Sequence, residues 1–117
     1  IIRLLTDLKS QHATKPLVEE LFKIDNPDMK RELIAACWQS GLDFSSFLEP
    51  FFDSLLTDEY AIALESFSVI ENSLHTLETI RLEEYKEMLT TRITECDPVT
   101  QPLVKQLELI IRDVLYT

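Results

Sequence analysis

Apolar positions recur along this chain at a spacing of about 31–34 residues, in a sequence with a single glycine, Gly41. A shift of 31 lays Leu17, Leu21, Ile24, Met29, Leu33 and Ala36 on Leu48, Phe52, Leu55, Tyr60, Leu64 and Phe67. A shift of 34 lays Leu48, Phe51 and Leu55 on Leu82, Tyr85 and Leu89. Self-similarity at this period marks stacked helical units, each too small to bury its own apolar face, so that neighbours build one core together. Strand-rich folds need turn glycines, and one Gly in 117 residues against an average near ~7% points to helices. The expected fold is all-α, an α–α superhelix of about seven antiparallel helices.

Ile1, Leu4, Leu5 and Leu8 share one face of a first helix. Thr14 is placed to cap a second, with Pro16 in its first turn; Leu17, Leu21 and Ile24 form its stripe, which stops near Asp25. Asn26-Pro27-Asp28 is a start signal. It joins a side-chain cap, a proline where no N–H is needed and an acid beside the positive end of the helix dipole. The helix it opens is expected to reach Ser40, with Met29, Leu33, Ala36 and Cys37 inward and Ile34 and Trp38 on a second face. Gly41 follows where a left-handed cap needs it. From Asp43 onward Phe44, Phe47, Leu48, Phe51, Phe52, Leu55 and Leu56 make a wide apolar stripe, and Pro50 is expected to bend that helix by removing one hydrogen bond.

Thr57-Asp58-Glu59 restarts the chain 31 residues after Asn26-Pro27-Asp28. Tyr60, Leu64, Phe67, Ile70 and Leu74 form the next stripe, with Ile62 and Val69 on a second face, the pattern of a helix held between layers. Thr76 is placed to cap a helix with Leu82, Tyr85, Leu89 and Ile93 inward. Asp97-Pro98 opens the last helix, over 98–116, which matches the 60–74 helix best at a shift of 40. It carries Leu103, Leu107, Ile110 and Val114 on one face and Val104, Ile111 and Leu115 on another, a surface on which a copy of the chain can pack. Short connections force antiparallel neighbours. No linker composition interrupts the chain, so residues 1–117 read as one helical-repeat domain with units near 1–24, 26–57, 58–95 and 97–117. The start at Ile1, inside a helix already under way, reads as a piece of a longer protein.

The net charge is −10, from 21 acids against 11 bases. Phosphate backbones and anionic membrane surfaces are bound by Lys and Arg, so this balance opposes nucleic-acid and membrane partners and favours a basic one. No apolar run approaches the ~18–20 residues that span a bilayer. Cys37 and Cys96 form no C-x-x-C or Cys/His cluster, and two thiols so placed suggest a reducing, cytoplasmic setting.

The stretch Asn26-Pro-Asp-Met-Lys-Arg-Glu-Leu-Ile-Ala-Ala-Cys-Trp38 resembles the first helix of a HEAT repeat, with Met29-Lys30 as its apolar–basic pair. Residues 44–57 are then similar to the second helix of that unit and 58–95 to a second unit, although Ala61 stands where the basic residue would be. The resemblance to the HEAT/armadillo-like family runs over the whole chain. It implies a non-enzymatic scaffold that binds protein partners on a concave face built from second helices. Another helical repeat and a closed helical bundle stay open as readings, and elongation separates a stack from a bundle, which approaches a radius of ~13–14 Å. The bundle reading implies a small-ligand or regulatory role.

Chemistry is thin. Glu71 and His75 meet at i, i+4 but bring no further donor, so no metal or cofactor is expected, and His12 falls on a connection. Neither His is placed beside a Cys, and one Gly makes no phosphate loop, so no enzyme activity is expected. The candidate partner site is acidic. Glu49 and Asp53 on one second helix map onto Glu83 and Glu87 on the next by the shift of 34, a four-carboxylate patch for a basic peptide or protein face. A solvated outer face explains the same charges without a partner. Trp38 is an inter-repeat packing residue or, if exposed, a binding anchor.

Overall fold

The computed structural model describes residues 14–116. The first expected helix and His12 lie outside them. Six α-helices follow: α1 Thr14–Leu21, α2 Pro27–Gln39, α3 Glu49–Thr57, α4 Tyr60–Ser73, α5 Thr79–Arg92 and α6 Gln101–Tyr116. Short 3-10 turns stand at 45–47, 74–76 and 93–95, and there is no strand among the described residues.

The start and stop signals of α2 work as their chemistry requires. Asn26 is extended, and its side chain accepts the Met29 N–H at 3.0 Å; Pro27 opens the helix and Asp28 lies in its first turn. α1 ends at Leu21 rather than near Asp25, and residues 22–23 continue it only as a turn. At the other end Ser40 Oγ donates to the Cys37 carbonyl, and Gly41 takes a positive φ of 79°.

Ion pairs fix the helix directions. Lys30 Nζ lies 2.8 Å from Asp58 Oδ2, and the Trp38 indole N–H donates to Glu65 Oε1 at 3.1 Å, so α2 and α4 run parallel. Glu49 meets Arg81, Phe52 stacks on Tyr85 at 4.3 Å and Asp53 meets Arg92, so α3 and α5 run parallel. Thr90 bonds Glu108 and Lys86 lies over the Tyr116 ring, so α6 returns antiparallel to α5 while also touching α4. The core is one continuous cluster from Val18 to Ile111, and α4 sits in its middle, burying Ile62, Ala63, Ser66, Phe67, Val69, Ile70 and Ser73. Phe44, Leu48, Phe51, Phe52, Leu55 and Leu56 are all buried, with Phe22 and Phe44 packed edge-on against Phe51.

Several expectations need correction. Pro50 does not bend a helix. The turn 45–47 is 3-10, the α-helix begins at Glu49, and Pro50 stands in its first turn where no N–H is needed. Met29 and Tyr60 hold the same place in successive units and are both exposed, as is Leu64. The buried arc of α4 is turned toward Ile62 and Val69, because α2 and α3 both pack on it there. Thr76 does not cap α5; its hydroxyl donates back to the Ser73 carbonyl, and Glu78 precedes the helix. The last helix begins at Gln101 with Pro102 in its first turn, after a turn in which the Asp97 carbonyl accepts the N–H groups of Thr100 and Gln101. It buries Leu103, Val104, Leu107 and Ile111 and leaves Leu109 and Tyr116 exposed.

The shape differs too. The Cα radius of gyration is 13.7 Å and the extents are 36 × 29 × 17 Å. That is the radius of a compact globule, so the elongation expected of a superhelix is absent.

Candidate functional site

The expected carboxylates stand on α3 and α5, and the fold divides them. Glu49 and Asp53 line a depression of about 340 Å³ between the two helices, together with Glu84, Tyr85, Met88 and Arg92. Glu83 and Glu87 line another, of about 460 Å³, on the opposite flank of α5, with Lys86, Thr90, Thr91 and Tyr116. The reason is geometric. Parallel helices related by a repeat point equivalent side chains in the same direction, so they do not face each other. What faces Glu49 is the other side of α5.

That side carries arginines. Arg81 reaches Glu49 Oε1 at 3.4 Å and also donates to the Tyr85 hydroxyl, which donates to Glu49 at 3.4 Å. Arg92 donates to Asp53 at 2.8 Å and grips Glu95 with two bonds of 2.9 Å. The hydrogen bonds that Arg92 donates to Glu95 and then to Asp53 push its pKa up, and Arg92 in turn holds the Glu95 carboxyl below its usual value. The Tyr85 hydroxyl is pushed up, chiefly by burial. Glu49 and Asp53 side chains remain 73% and 63% exposed, so these pairs are solvent-screened and exchangeable rather than structural anchors. No ion pair engages Glu83, Glu84 or Glu87 among the described residues. Glu84, Arg81 and Arg92 were not singled out from the sequence. The role of the two arginines depends on contacts 32 to 39 positions away, and the local hint is an arginine in the last turn of α5.

The remaining candidates lie away from these two depressions. Cys37 is buried, and desolvation pushes its thiol up to about 12, the wrong direction for a nucleophile. Cys96 is buried and donates to the Ile93 carbonyl. Glu71 and His75 are both exposed, and no group of three metal-ligating side chains occurs among the described residues. Trp38, at 36% exposure, borders a depression of about 400 Å³ with Phe44, Val69 and His75 at the C-terminal ends of α2 and α4. No helix among the described residues is long and apolar enough to cross a membrane. Comparison of the chain with protein-family models, with curated proteins and with solved structures gives no match.

Proposed function

We propose that this chain is a non-enzymatic protein-interaction scaffold, a short HEAT/armadillo-like stack whose acidic face receives a basic peptide or protein. The observation that carries this reading is the parallel alternation of α2 with α4 and of α3 with α5. It supports a two-layer stack in which α3 and α5 leave an open groove, floored by Tyr85 and Met88 and edged by Glu49, Asp53 and Glu84, with Arg92 paired to Asp53 at its end. The net charge of −10 supports a basic occupant. Two free, buried thiols support the reducing, cytoplasmic setting we propose with it.

The test is affinity capture with the wild-type chain and with Glu49→Lys/Asp53→Lys/Glu83→Lys/Glu87→Lys, at low and high salt. A basic partner held only by the wild type at low salt is the expected result. Capture that ignores the charge reversal sinks the proposal.

The compact radius of 13.7 Å and the Trp38 depression favour a second reading, a closed helical domain with a small-ligand or regulatory role. A ligand screen read by quenching of the Trp38 fluorescence separates the two, since the scaffold reading predicts no response there.

A further inference from the structure

We infer that Arg92 is a built-in competitor in the groove between α3 and α5: it is anchored on Glu95 and holds Asp53 until a partner's cationic side chain takes that carboxylate over. This rests on the acidic-face reading and names how that site is regulated.

Three hydrogen bonds leave the Arg92 guanidinium, and they are unequal. Nε and Nη2 donate to the two oxygens of Glu95, each at 2.9 Å. Nη1 donates across to Asp53 Oδ1 on α3 at 2.8 Å. The Glu95 fork is local, because Arg92 ends α5 and Glu95 lies in the 3-10 turn that follows. A planar guanidinium matched to both oxygens of one carboxylate is held in place without help from elsewhere. The bond to Asp53 is single, spans 39 positions, and ends on a side chain that is 63% exposed. Releasing it leaves Arg92 with two of its three bonds and leaves no charge buried without a partner. An incoming cation therefore replaces one bond with its own, while water takes the place of Asp53 on Nη1.

The other end of the groove is open by comparison. Arg81 reaches Glu49 Oε1 only at 3.4 Å, donates also to the Tyr85 hydroxyl and lies over the Tyr85 ring. No ion pair engages Glu84 among the described residues. Arg92 thus sets the threshold for entry. Apparent affinity is reduced by the fraction of molecules in which Asp53 is free. A lone cation meets a carboxylate already satisfied, whereas a segment that brings several charges engages Glu49 and Glu84 first and then displaces Arg92.

The test uses the full chain and a fluorescein-labelled hexa-arginine peptide at low salt, with binding read by fluorescence anisotropy. Arg92→Gln is expected to tighten binding about fivefold. Arg92→Lys keeps the charge but lacks the fork that spans both carboxylates, and should tighten it about threefold. Both gains should vanish in an Asp53→Asn background. Arg31→Gln removes the same charge from α2, which lends no residue to this groove, and should change affinity by less than about twofold. Circular dichroism confirms that each variant keeps its helices. Affinity for Arg92→Gln no higher than for the wild type, a gain that survives Asp53→Asn, or an equal gain from Arg31→Gln overturns the inference. If the Arg92 variants change nothing while Glu49→Gln/Asp53→Asn weakens binding, this inference falls and the scaffold reading stands. A peptide that binds neither the wild type nor Arg92→Gln removes the acidic-face reading and the inference with it.

Discussion

Lys30 in α2 and Asp58 at the entrance of α4 are joined by an ion pair of 2.8 Å, with side chains only 17% and 28% exposed. The Ser54 hydroxyl donates to the same Asp58 oxygen at 2.7 Å, and the buried Ser66 hydroxyl donates to Ser54 at 3.0 Å. Lys30 also lies over the Phe22 ring. One carboxylate thus ties α2, α3 and α4 together at the joint between two units. Ala61 stands one repeat after Lys30 and offers no such tie to the next unit. The repeat register, 31 up to that point, slips to 40 for the last helix.

The two partners should not be equal. Asp58→Ala removes the acceptor of both Lys30 and Ser54 and should cost about 2–3 kcal/mol in urea unfolding. Lys30→Ala leaves Asp58 its serine and its route to water, and should cost about 1 kcal/mol. Equal losses would show that the serine chain contributes nothing.

Thr100 is 1% exposed and its Oγ1 has no hydrogen-bond partner, while its backbone carbonyl accepts from Leu103 and Val104. Thr100→Val keeps the branched shape and removes the stranded hydroxyl, and should raise stability by about 1 kcal/mol. Thermal unfolding measures it. A lower melting temperature would contradict the account.

Pro50 separates two descriptions of α3. In the first turn it breaks no hydrogen bond, so Pro50→Ala should lower stability by roughly 0.5–1 kcal/mol through the freer unfolded chain. A gain near ~3 kcal/mol would mean that the proline sits inside a helix and bends it.

Cys37 makes stability fall at high pH. The unfolded thiol releases its proton near pH ~8.5, whereas burial holds the folded one to about 12. Between these values the unfolded state binds fewer protons, so stability drops as pH rises, by up to ~1.4 kcal/mol per unit. Below that window the term is constant. Tyr85 and Cys96, both pushed up mainly by burial, add falls of the same sign. Cys37→Ala should flatten the slope measured between pH 8.5 and 10.5 by urea unfolding; an unchanged slope would assign it elsewhere.

Local signals in the sequence translated well into structure. The Asn26 cap and the left-handed Gly41 each depend on neighbours a few positions away, and both stand where the chain pattern puts them. The buried second face of α4 at Ile62 and Val69 was also legible, because apolar residues on two sides of one helix require two layers. Lateral facts were not. Met29 and Tyr60 are apolar yet exposed, since exposure depends on whether a neighbouring helix reaches the first turn. Glu49 and Glu83 share a repeat position, but repeat equivalence says where a side chain points and not what it meets. Only the packing of α3 on α5 puts Arg81 and Arg92 against the first pair and leaves the second open.

The most direct measurement of the acidic face is carboxylate footprinting, with the chain labelled alone and then bound to its captured basic partner. The account predicts that Glu49, Asp53, Glu83, Glu84 and Glu87 lose labelling on binding while Glu19, Glu59 and Glu71 do not. Unchanged labelling of those five, with protection elsewhere on the surface, would contradict it.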